Sequence, residues 1–121
     1  MHEREFMARW IKARLKTNKR DYWYRIPDAA EGTKPFDGIL LTRVQVDRGF
    51  PFHTMPIAIE FKVWRKKRRF DYSTVEPHQL RELLAWKRAG GIAWIVVFFE
   101  HDENSGVFVP EQKDLRKALN R

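Results

Sequence analysis

Glu60 and Lys62 stand two apart in Ile59-Glu60-Phe61-Lys62. The stretch Ile57–Trp64 has the composition of a strand, so its side chains alternate between two faces. Ile59, Phe61 and Val63 fall on one face; Ala58, Glu60, Lys62 and Trp64 fall on the other. A carboxylate and an ammonium on an otherwise apolar strand cost free energy unless something uses them. A third charged group, Asp37, opens an earlier strand-like run, 23 positions before Glu60. If the two runs pair antiparallel, Asp37 and Glu60 converge on one point. With the backbone carbonyl of Phe61 they form an oxygen-rich site for a hard cation, Mg²⁺ with Mn²⁺ as substitute. Such an ion polarises a phosphodiester and acidifies a bound water. Lys62 would hold or help deprotonate that water, or neutralise charge building on the phosphoryl group. These are the parts that phosphodiester hydrolysis requires. The plain alternatives are a solvated turn acid at Asp37 and an edge-strand ion pair between Glu60 and Lys62.

The elements that must position these groups form one α/β series. Residues 3–16 carry Phe6, Met7, Trp10, Ile11 and Leu15 at helical spacing. Tyr22–Ile26 is a short aromatic strand that ends at Pro27. Asp28–Pro35, with Gly32, is a loop, and Asp37–Val46 is the next strand. Asp47–Pro56, with Gly49, Pro51 and Pro56, is a connection leading to the Ile57–Trp64 strand. Arg65–Tyr72 is a basic excursion. A helix follows over Glu76–Ala89, with Pro77 in its first turn and Gly90-Gly91 past its end. Ile92–Glu100 is almost wholly apolar, as a central, doubly covered strand would be. A polar turn at His101–Ser105, a strand at Gly106–Val109 and a helix at Pro110–Asn120 complete the order. No repeat, low-complexity tract or linker divides the chain, and its 121 residues suit a single domain, 1–121.

The charge is distributed unevenly. Net charge is +8. Residues 1–25 hold eight basic and three acidic residues, and residues 61–70 hold six basic and none acidic. The rest of the chain is net negative. Basic charge concentrated beside aromatics is the electrostatic footprint of nucleic-acid binding. The run Arg65, Lys66, Lys67, Arg68, Arg69 follows directly on the Lys62 strand and would bring positive charge to the mouth of the site. Trp64, Phe70 and Tyr72 interleave with it and could stack on bases or sugars. Arg4, Arg9, Lys12, Arg14 and Lys16 on the first helix could form a second phosphate track.

Asp37 in Lys34-Pro35-Phe36-Asp37-Gly38, followed by Glu60-x-Lys62, resembles the PD-(D/E)XK nuclease superfamily. Glu-x-Lys alone is a weak signal. Its place on a strand, the helix bearing Gln79 17 positions after Lys62, and the strand Gly90 to Phe99 strengthen it. The order over residues 3–100 is most similar to small Holliday junction resolvases of the RecU and archaeal Hjc type, and His78-Gln79-Leu80 through Phe99 is closest to RecU. Virus-type replication-repair nucleases share the same order. The chain departs from the motif where Phe36 separates Pro35 from Asp37.

The resemblance implies a restriction-endonuclease-like α/β fold, a mixed central sheet flanked by helices. It implies Asp37 and Glu60 as metal ligands, Lys62 as the catalytic lysine and Gln79 as a helix residue orienting the lysine or a water. Glu5 would be the acid of the first helix that completes the metal shell, with Glu3 a competing choice. Branched DNA is the implied partner, and symmetric cleavage of a four-way junction implies a homodimer.

Other classes fare less well. With no cysteine, a disulfide scaffold, a thiol nucleophile and a cysteine-bound zinc are excluded. The longest apolar run, Ile92–Phe99, is far short of the roughly 20 residues of a membrane span. With a charged N-terminus and no secretory pattern, the expectation is a cytoplasmic protein that does not enter membranes. A restriction-type or replication-repair nuclease, a non-catalytic nucleic-acid-binding module and a ribosome-associated RNA binder would each fit the charge. Against the non-catalytic module stands the complete Asp37, Glu60, Lys62 set, of which a dead copy would be expected to have lost a member, and the RNA binder leaves that set unexplained.

Overall fold

The computed structural model describes residues 1–28, 34–44 and 53–121. Gly32, Gln45, Val46 and residues 47–52 of the expected loop, strand end and connection lie outside them. The elements run α1 (Glu3–Thr17), β1 (Tyr22–Arg25), β2 (Gly38–Val44), β3 (His53–Trp64), a 3-10 turn (Tyr72–Thr74), α2 (Pro77–Arg88), β4 (Ile92–Phe99), β5 (Asn104–Phe108) and α3 (Gln112–Leu119).

The five strands form one sheet in the order β1-β2-β3-β4-β5. β1, β2 and β3 are antiparallel neighbours, β3 and β4 are parallel, and β5 returns antiparallel to β4. The mixed sheet flanked by helices is the architecture the resemblance implies. The parallel step needs a crossover, which α2 supplies. β3 is therefore the middle strand, so the edge-strand reading of Glu60 and Lys62 fails.

Each face of β3 meets its own helical layer. Ile57, Ile59, Phe61 and Val63 pack under α1 with Phe6, Met7 and Ile11. Ala58 and Trp64 pack under α2 and α3 with Leu80, Leu83, Leu84 and Leu115. Phe61, 1% exposed, is ringed edge-on by Phe6, Trp10 and Trp23 at 5.6–5.9 Å between centroids. α1 is latched from its far end. Arg14 pairs with Asp21 at 2.8 Å, and the Thr42 hydroxyl donates to Asp21 at 2.7 Å.

Two strand starts move by more than one residue. β3 begins at His53, so His53–Pro56 belongs to the strand and not to the connection. Pro56 is tolerated there because it is exposed, before the strand is covered on both faces. β5 begins at Asn104, because Phe99 already pairs with Asn104 across a short turn. Gly38 is required sterically: a Cβ there would stand 2.5 Å from the Tyr24 carbonyl oxygen. Gly90 takes φ +98° as the chain leaves α2.

Candidate active site

Past the pair Gly38–Ile59 the β2–β3 ladder ends, and Asp37 sits at that end. Its N–H donates to the Ile59 carbonyl at 3.0 Å, and its own carbonyl accepts from the Ile26 N–H at 2.9 Å. Its side chain then takes the place of a strand residue: Oδ2 accepts the Phe61 N–H at 2.7 Å. The expected antiparallel pairing of the two motif strands is present, and it delivers Asp37 to the Glu60–Lys62 segment. Phe61 O points to the same edge as Ile59 O, because backbone groups two apart on a strand face alike.

A pocket of about 320 Å³ opens at this point. Asp37, Glu60, Lys62 and Gln79 all line it. Glu60 is 2% exposed, and its Oε1 has no hydrogen-bond partner among the described residues. Burial pushes its carboxyl well above the usual carboxylate range, and the negative charge of Asp37 pushes it further, against the pull of Lys62. Lys62 Nζ lies 3.9 Å from both Glu60 Oε2 and Glu3 Oε1, beyond direct hydrogen bonding to either. Gln79, on the first turn of α2, is 7% exposed with Oε1 also unpartnered among the described residues.

Of the two acids weighed on α1, Glu3 lines the pocket and Glu5 does not. Glu5 is exposed and pairs with Arg9 at 2.8 Å. The reason is helical register. Glu3 shares a face with Met7, four residues on, which also lines the pocket, whereas Glu5 is two residues round the helix.

Lys34, Asp28, Arg4 and Arg25 also line this pocket, and the motif spacing did not single them out as site residues. Lys34 Nζ stands 3.1 Å from Asp37 Oδ1 and 2.8 Å from Asp28 Oδ1. Burial pulls the Lys34 ammonium down, but the two carboxylates outweigh it and hold its pKa above the ordinary value. Asp28 also pairs with Arg4 at 2.7 Å and Arg25 at 3.4 Å. The hydrogen bond from Lys34, foremost, lowers its pKa. The only sequence signal for Lys34 is its place three residues before Asp37.

The basic run Arg65–Arg69 is exposed at every residue, although Arg65 also pairs with Glu100 at 3.2 Å and donates to the Met1 carbonyl at 3.0 Å. Its start adjoins the site: a second hollow of about 260 Å³, lined by Arg65 and Lys66, shares Glu3 and Lys62 with the first. Of the interleaved aromatics, Trp64 is enclosed in the core and Phe70 and Tyr72 keep part of their surface exposed. Trp64 is buried, its ring covered by Lys66 and Arg68 at 5.7 and 5.8 Å. Phe70 and Tyr72 are half-buried and pack on each other and on Phe108 against the core. Arg14 is likewise committed to Asp21, whereas Lys12 and Lys16 remain exposed on α1.

Among the described residues no three carboxylate or imidazole groups are close enough to form a ready metal cage. The donor set fits a cation nonetheless. Two carboxylates are held together, one is buried with an unpartnered oxygen, and like charges so placed call for a positive partner. Among the described residues no helix is long and apolar enough to cross a membrane.

A comparison with curated proteins finds no match. The family model of Recombination protein U matches residues 38–121, a stretch that holds Glu60, Lys62, Gln79 and the basic run and starts one residue after Asp37. With most of the chain so matched, and with the restriction-endonuclease-like α/β core around the pocket, the protein belongs to the Recombination protein U (RecU) family, the Holliday junction resolvases.

Proposed function

We propose that the chain is a divalent-metal-dependent endonuclease that cleaves branched DNA, with Asp37, Glu60 and Lys62 as its working residues. The observation that carries this reading is the convergence of Asp37 and the buried Glu60 in a pocket that also holds Lys62. Asp37, Glu60 and the Phe61 carbonyl would hold Mg²⁺ or Mn²⁺. The ion, when bound, supplies Lewis-acid polarisation of the phosphodiester and a more acidic water.

The protein's own contribution is positional and electrostatic. Lys62 is fixed on the middle strand yet makes no tight ion pair among the described residues, so its ammonium can meet a phosphate oxygen or hold the attacking water. Gln79 presents a buried amide to the same space and can hold that water or the lysine in one orientation. Arg4 and Arg25 add positive charge at the rim, where phosphates enter. The exposed cations of Arg65, Lys66, Lys67, Arg68 and Arg69, with Arg9, Lys12 and Lys16 on α1, bind the DNA arms. Two such sites, in a homodimer, are needed to cut both strands of a junction symmetrically. Residues 1–121 then work as one nuclease-like domain, in the cytoplasm.

The test is cleavage of an end-labelled four-way DNA junction, beside linear duplex and single strand, in Mg²⁺ or EDTA. Metal-dependent paired nicks confined to the junction, and lost in Lys62→Ala, are the expected result. Cutting of linear DNA instead would keep the nuclease and discard the resolvase. Binding without cleavage in either metal would overturn the catalytic reading.

A further inference from the structure

Asp37 has both carboxylate oxygens occupied, by donors of different kinds. Oδ2 takes the Phe61 N–H, a donor fixed in the main chain of the middle strand. Oδ1 takes the ammonium of Lys34 at 3.1 Å, a donor on a flexible four-carbon stem. The same ammonium lies 2.8 Å from Asp28 Oδ1, closer than to Asp37. Asp28 is itself anchored, because its other oxygen pairs with Arg4 at 2.7 Å. Lys34 therefore bridges a carboxylate of the site and a carboxylate behind it. Lys62 makes no comparable contact, at 3.9 Å from Glu60.

We propose that Lys34 is a positioning residue that serves Asp37 as a resident cation. It holds the carboxylate when no divalent ion is present, competes with the ion for Oδ1, and is kept by Asp28 when the ion arrives. The proposal rests on the reading of Asp37 as a metal ligand. Its physical basis is charge. Two carboxylates in a partly buried pocket repel unless a cation lies between or beside them, and among the described residues Lys34 is the cation in hydrogen-bond range of Asp37. A divalent ion at Asp37 would in turn lie close to that ammonium, and Asp28 gives the ammonium a paired position that it already half occupies.

The experiment is calorimetric titration of the full chain with Mn²⁺, without DNA, read as a dissociation constant. Lys34→Met and Lys34→Gln should each bind Mn²⁺ tighter, by about 3- to 10-fold. Asp28→Asn should bind it more weakly by a similar factor, since Lys34 is then left with Asp37 alone. The deciding measurement is the double variant. Once Lys34 is replaced by Met, Asp28→Asn should no longer change the affinity, whereas a mere loss of charge would act equally in both backgrounds. Thermal unfolding of each variant establishes that it folds, and the two Lys34 replacements check each other. Unchanged or weaker Mn²⁺ binding in both Lys34 variants, or full additivity in the double variant, overturns the proposal. If the unmodified chain binds no Mn²⁺, the metal reading itself falls, and this proposal with it, before any variant is compared.

Discussion

The Phe61 N–H donates to Asp37 Oδ2 at 2.7 Å, immediately beyond the last residue pair of the β2–β3 ladder. The residue between Glu60 and Lys62 thus fixes the acid that arrives from the other strand. A side-chain carboxylate completes a strand ladder and faces a buried glutamate at the same time. The site is therefore an extension of the sheet, and its geometry is as rigid as the packing of β3.

That dependence predicts the cost of truncating Phe61. Its ring is enclosed by Phe6, Trp10 and Trp23 beneath α1. Phe61→Ala should lower unfolding free energy by about 3–5 kcal/mol, measured by urea denaturation. Residual folded protein should cleave junctions poorly, because β3 no longer holds Glu60 and Lys62 in register. A loss below about 1 kcal/mol would mean that the ring cage is not a support of the site.

Glu60→Gln should abolish metal-dependent cleavage and stabilise the metal-free fold. The Glu60 carboxyl is pushed up in the folded state, chiefly by burial, so the folded protein binds that proton more tightly than the unfolded chain does. Its favourable contribution is complete below the unfolded value and is lost as pH rises through the folded one. The stability advantage of Glu60→Gln over the unmodified chain in EDTA should therefore grow from acid towards neutral pH. A difference that is flat with pH, or that shrinks, would contradict the assigned burial.

Lys62→Ala should leave the fold within about 0.5 kcal/mol, because its ammonium stands 3.9 Å from both Glu3 and Glu60, too far for a tight pair with either. Cleavage should fall by about 10²–10⁴-fold, while junction binding changes far less. Single-turnover rates at saturating protein separate the two effects. Equal losses of binding and rate would mark Lys62 as a phosphate contact only.

Lys66, Lys67 and Arg69 are exposed in the turn after β3. Replacing all three with Ala should weaken junction binding and flatten the dependence of log affinity on log salt by about 2–3 in slope. Fluorescence anisotropy across a salt series measures this. An unchanged slope would place the DNA elsewhere on the molecule.

Much of this protein was legible in the order of its residues. Alternation along Ile57–Trp64 put Glu60 and Lys62 on one face, and the structure keeps them there, because a period of two leaves a doubly packed strand no other register. Pro77 and Gly90-Gly91 bracketed α2, and the apolar run marked β4, because backbone sterics and burial act locally. The motif spacing brought Asp37 to Glu60 through an antiparallel strand pairing that the structure has. What depended on tertiary structure was whatever required two distant elements to meet. Glu3 and not Glu5 reaches the pocket because the rotation of α1 is set by Phe6, Met7 and Ile11 docking on β3, which helical periodicity alone leaves free by a residue or two. Trp64 sinks into the core instead of awaiting a base, since α2 and α3 cover that face of β3. Lys34 joins Asp37 to Asp28 only because the antiparallel pairing of β1 with β2 brings the end of one strand beside the start of the other. Local chemistry chose the reactive groups, and packing between distant segments chose their partners.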